Sequence, residues 1–124
     1  MTELEKILSS DPDGMVSYEY LVNHTDADAG TIAATADNII KVDTTGQFVS
    51  SAARFLSAVG GDAFREITDK LINAAIEKDR DRVYLPDLLS AIWGDDYVDH
   101  VEELRAKDDN FRRIYKRLFP SGAL

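Results

Sequence analysis

The sequence of 124 residues contains no cysteine. This absence excludes disulfides, thiolate nucleophiles and zinc sites built on cysteine, and it is consistent with a reducing compartment. No apolar run approaches the roughly 18 residues that a transmembrane helix needs. The first ten residues also lack the basic and apolar segments of a signal peptide. We therefore expect a soluble, cytoplasmic protein that does not bind membranes.

The short motifs of common catalytic and cofactor sites are missing as well. The sequence contains no GxGxxG dinucleotide fingerprint, no P-loop, no G-x-S-x-G nucleophile elbow and no HExxH metal motif. Catalytic triads converge in space rather than in sequence, so this absence is only weak evidence against an enzyme. We expect no cofactor, and the sequence favours a non-catalytic role without identifying any catalytic residue.

Positive charge is scarce. Lys and Arg number 14 against 23 Asp and Glu, which gives a net charge of −9. Residues 1–45 carry most of the excess, whereas the acids and bases of residues 46–80 balance. Binding to a phosphate backbone needs clustered Lys and Arg, so an acidic front third makes nucleic acid an unfavoured partner. The charge fits a basic partner or simply favours solubility.

The densest apolar pattern lies in residues 46–80, in two parts separated by Gly60 and Gly61. Apolar residues recur there every three or four positions, which is typical of the buried face of an α-helix. They are Phe48, Val49, Ala52, Phe55, Leu56 and Val59, then Phe64, Ile67, Leu71, Ala74 and Ala75. Two helices joined this closely form an antiparallel hairpin. We expect Gly60 to end the first helix with a positive φ and Asp62 to cap the second.

Helical periods continue on both sides of this hairpin. We predict a single globular all-α domain over residues 1–124, a compact bundle of roughly six to eight helices around the central helical hairpin. Residues 15–22 leave an alternative open, because Val16, Tyr18, Tyr20 and Val22 alternate as they would in a strand. Paired with a hairpin over residues 39–51, they would give an α+β fold with a small N-terminal sheet.

Turn residues mark the breaks between the predicted helices. The DPDG sequence at residues 11–14 has the Asp and Gly spacing of a calcium-binding loop, but Ser9 and Tyr20 stand where its first and last ligands belong. We interpret it as a turn. Equal intervals separate three glycines, Gly14, Gly30 and Gly46. We interpret these glycines as residues of the turns between helices and not as signs of an internal repeat.

Residues 95–103 form an acidic segment that holds one of the two histidines. On a helix, Asp96, His100 and Glu103 would share one face, and mixed imidazole and carboxylate ligands at this spacing can hold a divalent metal. His100 with Asp96 is also the first place to look for acid–base chemistry. One helix supplies at most part of a metal site, and His24 is distant in sequence, so a solvated acidic face is the competing interpretation.

A basic face is predicted on the last helix. It comprises Arg112, Arg113, Lys116 and Arg117. Its functional interpretation is a docking surface for phosphate groups or nucleic acid. The structural interpretation is that bases near the C-terminus of a helix complement its macrodipole. Trp93 and Tyr97 are the aromatic candidates for contact with a protein partner, since such side chains are enriched in interfaces.

Three classes of function follow from these features. The leading hypothesis is a protein–protein interaction or regulatory module with a protein partner, because the charge is asymmetric and catalytic motifs are missing. The second is an enzyme or metal-binding protein that uses the face of Asp96, His100 and Glu103. The third is a nucleic-acid binder that uses the C-terminal basic helix.

Overall fold

The structure is a computed structural model that describes residues 2–120. Within this range the chain forms eight α-helices and no strand. They are α1 (Glu3–Ser10), α2 (Met15–Asn23), α3 (Ala29–Val42), α4 (Gln47–Gly60), α5 (Arg65–Lys78), α6 (Leu85–Trp93), α7 (Val101–Lys107) and α8 (Asp109–Leu118). The all-α prediction is confirmed, and the alternative with a small N-terminal sheet is not supported. None of these helices is long and apolar enough to cross a membrane.

Helix α4 is the centre of the bundle. It packs most extensively against α5, as the hairpin prediction required, and it also contacts α2, α3 and α6. Val49, Ala52, Ala53 and Leu56 are completely buried. Their spacing of three and four residues places them on one face, and burial of that face in the core stabilises the helix.

The connection between α4 and α5 differs from the prediction. Gly60 has a φ of −105°, so it is not a left-handed cap, and a 3-10 turn (Gly61–Phe64) separates the two helices. Glycine is needed at position 60 for another reason, because a Cβ there would lie 1.8 Å from the ring of Phe64. Asp62 lies inside the turn and does not cap α5, which begins only at Arg65.

Three buried aspartates join successive helices at one end of the bundle. Asp11, Asp43 and Asp79 follow the last residues of α1, α3 and α5, and they are 5%, 1% and 1% exposed. Each side chain accepts hydrogen bonds from backbone N–H groups at the start of the next helix. A carboxylate suits that place, since the first N–H groups of a helix have no partner within the helix.

The bonding is similar in the three loops. Asp11 accepts from the N–H groups of Gly14 at 2.8 Å and Ser17 at 2.7 Å. Asp43 accepts from the N–H groups of Gly46, Phe48 and Val49, at 3.1, 2.9 and 3.0 Å. Asp79 accepts from those of Val83, Tyr84 and Leu85, at 3.0, 2.8 and 2.8 Å. These contacts occupy the carboxylates, so the DPDG segment is a turn, as predicted.

The third residue after each aspartate has a positive φ. The values are 103° at Gly14, 93° at Gly46 and 58° at Arg82. Gly14 and Gly46 therefore occupy equivalent positions in two similar loops, whereas Gly30 lies inside α3. The first loop also packs against the second, and the second packs against the third. A Cβ on Gly14 would be 3.5 Å from Cβ of Asp43, and a Cβ on Gly46 would be 3.0 Å from Cβ of Asp79.

Helices α5 and α8 lie side by side and run in the same direction. Arg113 of α8 donates a hydrogen bond to the side chain of Asn73 in α5, and Arg117 donates to the carbonyl of Asp79 just beyond it. Asp108, immediately before α8, lies near Asp69 in the first half of α5. This pairing of α5 and α8, the α5–α8 seam, has an acidic start and a basic end.

Candidate functional site

The acidic segment does not form the single helix that the metal hypothesis assumed. A 3-10 turn (Tyr97–His100) follows Asp96, and α7 starts only at Val101. The three side chains are nevertheless close. Nε2 of His100 lies 3.4 Å from Oδ2 of Asp96, and Nδ1 of His100 lies 3.9 Å from Oε2 of Glu103.

The cluster of Asp96, His100 and Glu103 is exposed to solvent. The side chains of Asp96, His100 and Glu103 are all more than half exposed. Glu103 is also paired with Lys107 at 2.6 Å, and this hydrogen bond lowers the pKa of the Glu103 carboxyl. Among residues 2–120, no three His, Asp or Glu side chains are grouped closely enough to hold a metal ion. A metal or acid–base site at His100 stays a prediction.

Trp93 and Tyr97 belong to an aromatic cluster around Phe111. The ring of Trp93 meets Phe111 edge-on at 5.2 Å, and Tyr97 meets it at 6.1 Å. Phe111 is fully buried, and both partners are half-buried. Packing in the core therefore accounts for much of the surface of Trp93 and Tyr97, and their contact with a protein partner stays a prediction.

The basic face of α8 is held against the end of α5. Arg117 donates hydrogen bonds to the carbonyls of Ile76, Asp79 and Arg80, which lie in the last turn of α5 and just after it. These carbonyls have no partner within a helix, so a guanidinium satisfies them and complements the negative end of the macrodipole. The structural role of Arg117 thus differs from the predicted one, because it complements the end of α5 and not the end of its own helix.

A groove of about 530 Å³ lies beside this contact. Five cationic side chains line it together with two apolar residues, and we name it the basic groove: Arg82, Arg112, Arg113, Lys116, Arg117, Ile76 and Pro120. Lys116 and Arg112 are exposed on α8, and Arg112 pairs with Asp109, which lowers the pKa of that carboxyl. None of the described residues that line the groove is acidic.

Arg82 is the member of the basic groove that sequence reasoning missed. It lies in the loop after Asp79, far from α8 in sequence, and its guanidinium donates to the carbonyl of Arg117 at 3.3 Å. The signal that could have found it is the D-x-x-G spacing of the first two loops. By that spacing, Arg82 occupies the third position after Asp79, where the other two loops have glycine.

The sequence matches no protein-family model, and no curated protein or solved structure matches it at a significant level.

Proposed function

We propose that this protein is a protein–protein interaction module that binds an acidic segment of a partner protein in the basic groove. One observation carries the proposal. Five cationic side chains from two separate parts of the chain converge on one concave surface in a molecule whose net charge is −9. Such a local concentration of one sign is complementary to a partner of the opposite sign, and it steers association.

Most of this positive charge is not neutralised. Arg113 donates to the neutral amide oxygen of Asn73, and Arg117 donates to neutral backbone carbonyls. Arg82 and Lys116 take part in no salt bridge among residues 2–120, and Arg112 is paired with Asp109. A carboxylate that enters the groove would therefore meet donors whose charge is still available.

The backbone at Arg82 supports the same proposal. Its φ of 58° lies in the left-handed region, where a non-glycine residue costs about 1–2 kcal/mol. The equivalent positions of the other two loops hold glycine, Gly14 and Gly46, which adopt such angles freely. An arginine at this position costs stability and adds a cation to the groove. Strain of this kind concentrates at functional positions.

An acidic peptide fits the molecule better than nucleic acid does. A duplex carries one negative charge per roughly 1.7 Å of its axis, and a long polyanion would be repelled by the acidic remainder of the chain. A short acidic segment needs to contact only the groove. We place the protein in the cytoplasm, a proposal supported by the lack of cysteine.

The proposal is tested by fluorescence anisotropy with a labelled ten-residue peptide of alternating Glu and Leu. A matched peptide of Lys and Leu and a single-stranded oligothymidylate serve as comparison ligands. We expect only the Glu peptide to bind, and we expect its affinity to fall with rising salt because the contacts are ionic. Tighter binding to the oligothymidylate would overturn the proposal in favour of a nucleic-acid binder.

Two double variants with the same change in charge locate the site. Arg112→Ala with Lys116→Ala removes two exposed cations from the groove, whereas Lys6→Ala with Lys41→Ala removes two exposed cations elsewhere. We expect the first pair to weaken binding of the Glu peptide by about tenfold, as two lost ion pairs of roughly 0.7 kcal/mol would. Equal affinities of the two double variants would show that the groove is not the site.

A further inference from the structure

The basic groove lies at the basic end of the α5–α8 seam, and most of its charge has no carboxylate partner. Arg112 is paired with an aspartate of its own helix. The other four cations take part in no salt bridge among residues 2–120, and they are Arg82, Arg113, Lys116 and Arg117. One carboxylate balances one charge, so a single Glu side chain in the groove leaves most of this surplus in place.

Neutral acceptors hold two of these guanidinium groups in position. Arg82 donates through one nitrogen to the carbonyl of Arg117 at 3.3 Å, and Arg113 donates through one nitrogen to the amide oxygen of Asn73. A guanidinium carries five N–H groups, so both arginines keep donors for a ligand. Neither contact neutralises the charge. A ligand therefore meets cations that are already ordered, which reduces the entropy lost on binding.

The side chains of the groove match a phosphate group. Four of the five cations are arginine, whose planar fork can donate to two oxygens of one phosphate. A phosphorylated serine or threonine carries about −1.5 to −2 charges at pH 7 and three acceptor oxygens, whereas a carboxylate carries one charge. We infer that the basic groove binds a phosphorylated serine or threonine of the partner protein, with Arg82 and Arg113 as its guanidinium donors and Lys116 beside it. This inference rests on the proposed function and specifies the group that the groove recognises.

A phosphorylated peptide fits this surface better than an anionic membrane does. Pro120 is exposed and also lines the groove, so a residue next to the phosphate can make an apolar contact. A short peptide reaches the groove without approaching the rest of the molecule. A membrane surface is extended, and it would also face the acidic remainder of a protein whose net charge is −9.

Three labelled peptides test the inference by fluorescence anisotropy. The first is the ten-residue peptide of alternating Glu and Leu, and in the other two a central Glu is replaced by phosphoserine or by serine. We expect the phosphoserine peptide to bind about tenfold more tightly than the Glu peptide, and the serine peptide to bind more weakly than both. If the Glu peptide binds and phosphoserine adds no affinity, this inference is overturned and the proposed function stands. If no peptide binds, the proposed function fails as well.

The pH dependence of binding tests whether the phosphate charge is the cause. The second pKa of a phosphomonoester is about 6, so the ligand loses charge as the pH falls from 7 to 5. The Arg and Lys side chains that line the groove do not titrate in this range, and the hydrogen bond from Arg112 lowers the pKa of Asp109, which therefore stays ionised. We expect the advantage of phosphoserine over Glu to shrink to a few-fold at pH 5. An advantage that stays the same would overturn the inference.

Asn73→Ala tests whether the held position of Arg113 matters, because this variant keeps all five cations and removes only the acceptor. We expect it to weaken binding of the phosphoserine peptide a few-fold. Asn23→Ala, at an exposed position of α2, is the matched control and should leave binding unchanged. Equal affinities of the two variants would overturn the placement of Arg113 beside the phosphate.

Competition separates the sources of the phosphate. Inorganic phosphate and vesicles of equimolar phosphatidylcholine and phosphatidic acid should displace the phosphoserine peptide only at concentrations far above that of the peptide. Displacement by either competitor at the concentration of the peptide would overturn the assignment to a partner protein.

Discussion

Trp93 and Asp108 are joined by a 2.8 Å hydrogen bond from the indole Nε1–H to Oδ2 of the carboxylate. The other carboxylate oxygen accepts from the N–H of Phe111 and caps α8. One side chain therefore connects the last residue of α6 to the first turn of α8. Asp108 thus holds α6 and α8 together.

Replacement of Asp108 by alanine should lower the free energy of unfolding by about 1–2 kcal/mol, since a helix cap and a partner of a half-buried indole are lost together. Urea denaturation followed by circular dichroism and by Trp93 emission measures this change. The control is Asp109→Ala at the neighbouring exposed position, where only the pair with Arg112 is lost. Equal losses in the two variants would show that the connection contributes nothing.

Gly46 combines a left-handed backbone with close contacts to its surroundings, so its replacement should be costly. Its φ is 93°, and a Cβ at this position would lie 3.0–3.2 Å from Cβ, N and Cα of Asp79. Two of these atoms belong to the backbone and cannot move aside cheaply. We expect Gly46→Ala to destabilise the protein by about 2 kcal/mol or more.

Gly30 supplies the control for this prediction. It lies in the first turn of α3, where φ is ordinary and a Cβ would meet only Oδ1 of Asp28 at 3.3 Å. Gly30→Ala should change the stability by less than about 1 kcal/mol in either direction. A thermal melt that shows similar losses for Gly30→Ala and Gly46→Ala would contradict the close packing of the second and third loops.

Arg82→Gly should have opposite effects on stability and on binding. Glycine removes the cost of the left-handed backbone, so we expect the stability to stay the same or to rise by about 0.5–1 kcal/mol. The basic groove loses one cation, so the affinity for the Glu-Leu peptide should fall. Denaturation and anisotropy on the same sample measure both effects. A clear loss of stability without a change in affinity would show that Arg82 has a structural role only.

The helices were predictable from the sequence because they depend on local patterns of residues. Apolar residues recur at helical spacing, and this period predicts the central hairpin and the all-α class without knowledge of any tertiary contact. Residues 15–22 were ambiguous because their aromatic and β-branched side chains suit either structure. They form part of α2, where Ser17 is buried and its N–H is bonded to Asp11.

The candidate sites were only partly predictable. Four cations of the basic groove share a helix, so helical spacing placed them on one face, whereas Arg82 reaches the groove through the fold of a loop. The proximity of Asp69, Trp93 and Asp108 was not predictable. These residues come from three parts of the chain, and no sequence period connects residues brought together by tertiary packing.

The two aspartates Asp11 and Asp69 should affect stability with opposite dependence on pH. Burial raises the pKa of Asp11, but hydrogen bonds from the Ser17 hydroxyl and from backbone N–H groups outweigh it, and the net pKa lies below the ordinary 3.8. Asp11 therefore stabilises the fold above pH 3.8. This contribution should be lost as the pH falls through its lowered pKa, because the folded state resists protonation.

Asp69 has the opposite sign. Its raised pKa means that the folded protein binds a proton more readily than the unfolded chain, so its charged form destabilises the fold at neutral pH. Asp69→Asn should therefore raise the stability at pH 7, and this gain should disappear as the pH falls below 3.8, the ordinary pKa, because the carboxyl of the unfolded chain is then protonated as well. Chemical denaturation between pH 3 and pH 7 measures the difference from the unmodified protein. Burial is the larger cause of the raised pKa and the Asp108 charge is the second, so the same titration in an Asp108→Asn background should show the pKa of Asp69 lowered only part of the way toward its ordinary value. A gain for Asp69→Asn that does not change with pH would contradict the raised pKa of Asp69.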